Sequence, residues 1–227
     1  MSDYLVEAKN ICKTFTKAQN KLEILKGLDI QVKRGESISI VGASGVGKST
    51  LLHILGTLDE PTSGEIYYES SLISKYSKKQ LCKFRNESIG FIFQFHYLFR
   101  ELSALENVML PALMFGLGKK EASLKAKQIL EEVSLHGRME HKPGELSGGE
   151  QQRVAIARSI IMSPKIIYAD EPTGNLDPDT GESVFNLLLG LNKSHNVTLV
   201  TVTHNQKLAS LTDRTLRIRK GKIENFK

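Results

Sequence analysis

Apolar and polar positions change period several times along the 227 residues of this chain, and each change marks an element. Leu28, Ile30 and Val32 alternate with polar neighbours, which predicts a strand with one buried face, and Arg34-Gly35-Glu36 predicts the turn that ends it. Ser37-Ile38-Ser39-Ile40-Val41 reads as a buried strand running into a glycine-rich loop, and behind the loop Leu51, Ile54, Leu55 and Leu58 recur at helical spacing. From about Gln94 to Met162 helical patterns dominate. Ala126, Ile129, Leu130 and Val133 form one apolar stripe; Val154, Ile156, Ala157, Ile160 and Ile161 form another. Lys165 to Ala169 and Val197 to Val202 are nearly continuous apolar or β-branched runs, which suit a parallel sheet covered on both faces. Thr215 to Ile223 predicts a hairpin. No internal repeat or low-complexity tract interrupts the order.

Composition adds limits rather than identity. At 40% hydrophobic and 25% charged residues the chain can fold around an ordinary core, as one domain or one domain with a subdomain. Polar residues break every apolar run before it reaches a membrane span, and the start Met1 to Glu7 lacks the basic-then-apolar order of a secretion signal. Cys12 and Cys82 are unpatterned and read as reduced thiols of a cytosolic chain. The net charge is +6, and Lys75, Lys78, Lys79, Lys83 and Arg85 form the densest basic cluster. No aromatic platform interleaves regularly with these cations, so no nucleic-acid site is expected.

Three motifs carry the chemistry. Gly42-Ala43-Ser44-Gly45-Val46-Gly47-Lys48-Ser49-Thr50 has the spacing of a phosphate loop. Its glycines let backbone N–H groups approach phosphates closely, and the helix that follows adds its positive end. Lys48 should reach the β- and γ-phosphates, and Ser49 should ligate magnesium (Mg2+). The four fixed positions coincide by chance in roughly one chain in a hundred of this size, and the strand–loop–helix context makes chance rarer. The second motif is Asp170-Glu171 at the end of an apolar run. Alone, such a pair is more often a solvated strand end or a helix cap. Beside a phosphate loop it gives one carboxylate for the metal, Asp170, and one to polarise water, Glu171. The third is Leu146-Ser147-Gly148-Gly149-Glu150-Gln151-Gln152-Arg153, in which Ser147 is a plausible helix cap and the glycines leave amides bare for an anion.

Together these segments resemble the ATPase subunits of ABC transporters, from about residue 4 to 224. The resemblance implies an α/β fold of the P-loop NTPase (ABC ATPase) kind, with a mostly parallel core sheet, an N-terminal antiparallel β part and an inserted α-helical subdomain. Residues 1–93 and 163–227 would form the nucleotide-binding core and 94–162 the helical subdomain. It further implies that the Ser147, Gly148, Gly149 and Glu150 segment contacts the γ-phosphate of ATP held by a second copy. Phe15 sits where an aromatic stacks on adenine, although alone it would be read as core. Gln94 matches the glutamine that senses metal and attacking water. His204 matches the histidine at the γ-phosphate, and Asp177 matches a loop crossing the dimer interface.

Within the family, Gln94-Phe95-His96 and Ala169-Asp170-Glu171-Pro172-Thr173-Gly174-Asn175-Leu176-Asp177 are similar to the group containing LolD, MacB and FtsE, and most to the lipoprotein-releasing members. Arg100, Asn205 and Tyr168 depart from the group's usual residues. That likeness implies a homodimer on the cytoplasmic face of the bacterial inner membrane, peripheral, using ATP and Mg2+. Its partners would be two transmembrane subunits, LolC/LolE-like, which alone would touch the lipoprotein. The alternatives are the ATPase of a MacB-type efflux system and an FtsE-like ATPase that signals to cell-wall hydrolases.

Overall fold

The computed structural model describes residues 3–17 and 20–226. The chain divides into two compact units, Met1–Cys82 with Thr198–Lys227, and Lys83–Val197.

The first unit contains two groups of strands. β1 (Tyr4–Lys17) pairs antiparallel with β2 (Asn20–Lys33) and with β4 (Ser63–Tyr68), which pairs with the short β5 (Ser71–Leu72). This is the antiparallel N-terminal part. The second group runs β10 (Lys222–Asn225), β9 (Arg214–Arg219), β3 (Ser37–Val41), β8 (Thr198–Val202). β3 is parallel to both neighbours, and β9 and β10 form the expected hairpin. All five residues of β3 and of β8 are buried, including Ser37 and Ser39 of β3 and Thr198 and Thr201 of β8, as expected of strands covered on both faces. α1 (Lys48–Leu55) packs its Leu51, Leu52, Ile54 and Leu55 inward. Leu58, expected on that stripe, lies beyond the helix and is exposed, because α1 ends at Gly56 and Thr57 turns the backbone left-handed at φ 59°. Tyr68 Oη donates to the Leu55 carbonyl at 2.7 Å and ties β4 to the end of α1. α7 (Gln206–Ala209) follows β8.

α2 (Lys78–Ser88) carries the chain across the division and buries no residue, so it leaves no apolar stripe in the sequence. In the second unit β6 (Ile89–Phe93) pairs parallel with β7 (Ile166–Asp170). Between them come α3 (Ala104–Phe115), α4 (Lys119–Glu132) and α5 (Gly148–Ile160), and after β7 comes α6 (Pro178–Ser194). Ala122, Ala126, Leu130 and Val133 are buried on one side of α4 and just past it. Tyr168 is fully buried and stacks on Phe91 at 6.0 Å between ring centres. The stretch 94–103 is not helical; α3 begins only at Ala104, behind a Ser103–Glu106 capping box.

Candidate functional site

The phosphate-loop residues lie between β3 and α1, as the motif requires. Gly47 is the N-cap of α1 at φ 103°, a conformation open to glycine, and a Cβ there would stand 2.6 Å from Ile24 Cγ2. The N-cap glycine has no side chain to cap this helix start, whose positive end faces the loop. Ala43, Ser44, Gly45 and Ser49 are exposed, and Gly42, Val46 and Thr50 are half-buried. Lys48 is 8% exposed, and its Nζ donates to the carbonyls of Gly42 and Ala43, each at 3.0 Å. The ammonium is thus held at the loop's own rim, where a phosphate would compete with two carbonyls for it. In the same unit His204 is exposed just after β8. The neighbouring Asn205 caps α7 by accepting from the Leu208 amide at 3.2 Å. Asn caps a helix as well as Asp, which gives the departure at this position a local physical reason. Phe15 is 47% exposed on β1, with Lys13 Nζ 5.1 Å from its ring centre, so it is not a core residue.

The second unit gathers the acidic pair and the glutamine. β6 and β7 are in register with Phe93 opposite Asp170, so Gln94 and Glu171 leave adjacent strand ends side by side. Asp170 and Glu171 are half-buried, and Glu171 takes the left-handed φ of 46°. Strain of this kind in a non-glycine residue persists only where surrounding structure imposes it, and it recurs at functional positions. Asn175 locks Gln94 from both sides. Gln94 Nε2 donates to Asn175 Oδ1 at 2.9 Å, and Asn175 Nδ2 donates to the Gln94 carbonyl at 3.1 Å. Asp177 caps α6, accepting from the Thr180 amide at 3.0 Å, and hydrogen bonding to the Thr180 side chain, then to that amide, holds its carboxyl below the usual range.

The Ser147–Glu150 segment is a helix start of a different kind. Ser147 Oγ accepts from the Glu150 amide at 3.3 Å, and Glu150 Oε2 accepts from the Ser147 amide at 2.8 Å. The cap thus occupies the amides on either side of the two glycines. Gly149 is buried, and a Cβ there would meet Thr180 Cγ2 at 2.5 Å, so α5 and α6 approach closely at this point. Ser147 and Gly148 remain exposed. Hydrogen bonding to Ser147's backbone, then to Arg138 at 2.9 Å, holds the Glu150 carboxyl low.

Sequence reasoning assigned no role to Asn107, Arg138, Arg158 or Asn175, although each forms a specific side-chain bond. The available signal was a polar side chain on an apolar helical face, which Asn107 shows between Leu105 and Val108.

Comparison with known proteins comes from three directions. Residues 25–174 match the family model described as ABC transporter. The chain is 50% identical over 219 residues to the lipoprotein-releasing system ATP-binding protein LolD of Syntrophus aciditrophicus, covering 96% of this chain and 98% of that one. It is 48% identical over 223 residues to the protein of the same name from Legionella pneumophila (strain Paris), covering 98% of each. Among solved structures it is similar to the dimeric structure of MJ0796, a bacterial ABC transporter cassette. The TM-score is 0.89 at 39% identity, over 98% of this chain and 99% of that one. A post-hydrolysis dimer of the same cassette bound to ADP and Pi matches equally, at TM-score 0.89.

Proposed function

Because the chain belongs to the ABC transporter family, we propose that it is the ATP-hydrolysing subunit of a complex that releases lipoproteins from the bacterial inner membrane. The observation that supports hydrolysis best is the β6–β7 register, which sets Gln94, Asp170 and Glu171 at neighbouring strand ends. The likeness to lipoprotein-releasing proteins over nearly the full chain supports the substrate.

In this reading the uncapped start of α1 and Lys48 hold the β- and γ-phosphates, while the exposed ring of Phe15 stacks on adenine. Ser49, Asp170 and Gln94 offer hard oxygen donors for Mg2+. Among the described residues no three His, Cys, Asp or Glu side chains gather into an all-protein cage. A sparse donor set suits an ion that keeps most of its shell as phosphate and water oxygens. When bound, that ion neutralises charge on the transferred phosphoryl group. Glu171 orients and polarises the attacking water, and His204 contacts the γ-phosphate. Ser147, Gly148, Gly149 and Glu150 of a second copy close over the same triphosphate, with Asp177 at the interface between copies.

The subunit works peripherally on the cytoplasmic face of the inner membrane, bound to a pair of LolC/LolE-like transmembrane subunits. Moving acyl chains into water costs about 0.8 kcal/mol per CH₂, so several long chains would cost tens of kcal/mol. ATP therefore drives closing and reopening of the dimer, while the membrane subunits pass lipid between apolar sites. The test is release from reconstituted vesicles of the assembled transporter. Lipoprotein should leave only when an acceptor with an apolar pocket is supplied with ATP, and equal yield into plain buffer would contradict the reading. Isolation of a different kind of membrane partner would favour an efflux or cell-wall signalling role.

A further inference from the structure

The stretch between β6 and α3 exposes three aromatic rings, Phe95, Tyr97 and Phe99, yet its backbone is held at several points. Asn175 grips Gln94. Asn107, fully buried on α3, donates to the carbonyls of Phe99, Leu102 and Ser103 and accepts from the Phe99 amide. The remaining grip comes from α5. Arg158 Nη1 donates to the Tyr97 carbonyl and Nη2 to the His96 carbonyl, both at 2.7 Å. On the same helix Gln152 Nε2 donates to the Phe93 carbonyl at 3.4 Å.

Two features make Arg158 more than one contact among many. Its planar fork serves two consecutive carbonyls at once, which a lysine ammonium does not reproduce. One of those carbonyls belongs to Tyr97, held at φ 48°, a left-handed conformation unfavourable for an aromatic residue and stable only when imposed from outside. Arg158 lies ten residues after Gly148 on a continuous helix, so it joins the aromatic segment to the start of α5 across about 15 Å of rigid backbone.

We infer that Arg158 is a positioning residue that makes the Phe95–Phe99 segment and the start of α5 one mechanical piece. A change at the Ser147–Glu150 end then reaches the exposed rings, and a load on the rings reaches that end. The inference rests on the proposed role of that helix start in contacting ATP held by a second copy. It names the side chain that carries the response onward.

Hydrogen exchange in the Glu171→Gln background, with and without Mg-ATP, tests it. In the parent, amides of the phosphate loop, of residues 148–152 and of residues 95–99 should all slow when Mg-ATP is added. In Arg158→Met the loop and 148–152 should still slow, while slowing at 95–99 falls by about tenfold, as expected when a charge-assisted pair of bonds is lost. Arg158→Lys should recover part of the response. Asn175→Ala, which breaks a different grip on the same stretch, should leave the 95–99 response in place. Equal slowing at 95–99 in Arg158→Met and parent would overturn the inference. So would loss at 148–152 in a folded Arg158→Met, which would make the residue merely a support of α5. Should Arg158→Met fail to fold, Arg158→Lys decides alone: a weakened response at 95–99 supports the inference and an unchanged one overturns it. Absence of slowing at the phosphate loop of the parent would instead strike the ATPase reading itself. Slowing there and at 148–152 but not at 95–99 would remove this inference alone.

Discussion

The starts of α1 and α5 are written in similar letters, a serine and glycines before a helix, and they are finished in opposite ways. α1 begins at a left-handed Gly47 that makes no side-chain cap, and Lys48 is folded onto the loop rim. α5 begins behind Ser147 and Glu150, which occupy each other's amides, with Arg138 holding Glu150. The glycines differ accordingly. Gly47 supplies a positive φ as well as closeness to Ile24, whereas Gly149 supplies closeness alone, letting α5 lie against Thr180 at the start of α6. A helix start left uncapped is suited to wrap an anion on its own. A start that is largely self-capped is suited to present an exposed serine and Gly148 to charge held elsewhere. This contrast is what a site shared between two copies would need.

The largest expected effect separates chemistry from both helix starts. Glu171→Gln should slow ATP turnover by about 10²- to 10⁴-fold, the usual worth of a positioned general base, while ATP still binds and the ATP-bound dimer accumulates on size exclusion. Normal turnover would remove Glu171 from the role given to it. Lys48→Ala comes next, because it takes a charge-assisted contact from the loop that binds ATP within one copy. Its ATP Kd should rise by roughly 10- to 100-fold in a titration of the single chain. Ser147→Ala should leave that Kd within about twofold and weaken only ATP-driven association, at a stability cost near 1 kcal/mol for the lost cap. Equal effects of the two substitutions on single-chain affinity would erase the contrast.

Much of this was legible in the sequence, for physical reasons. β7 and β8 stand out because strands covered on both faces are written as nearly continuous apolar or β-branched runs. The phosphate loop stands out because its chemistry needs fixed spacing. α2 was illegible because it buries nothing and so leaves no stripe. The 94–103 stretch looked helical because its neighbours are; its real form depends on Asn107 and Arg158, whose partners are backbone carbonyls that no sequence displays. The cap at Ser147 was legible, but the job of Gly149 was not, since Thr180 lies 31 positions away along the chain.

Smaller effects sharpen the comparison. Gly149→Ala should destabilise the fold by about 1–3 kcal/mol through overpacking against Thr180, seen as a fall in Tm of about 3 °C per kcal/mol. Thr180→Ser should relieve part of that loss in the double variant if the clash is the cause. The smallest effect is on pH. The Glu150 carboxyl titrates below its ordinary value of 4.5, chiefly through the Ser147 backbone bond. Its contribution is therefore complete above about pH 4.5 and fades as pH falls through the lower folded value. Glu150→Gln should flatten that acid-side slope of Tm against pH, and an unchanged slope would mean the bond carries no pH dependence.

The dependence of ATPase rate on chain concentration tests the shared site most directly. Specific activity should rise with concentration, approaching second order where the chain is mostly monomeric, and it should level off once dimers dominate. A specific activity that stays constant at full value down to concentrations where light scattering finds only monomer would contradict the account.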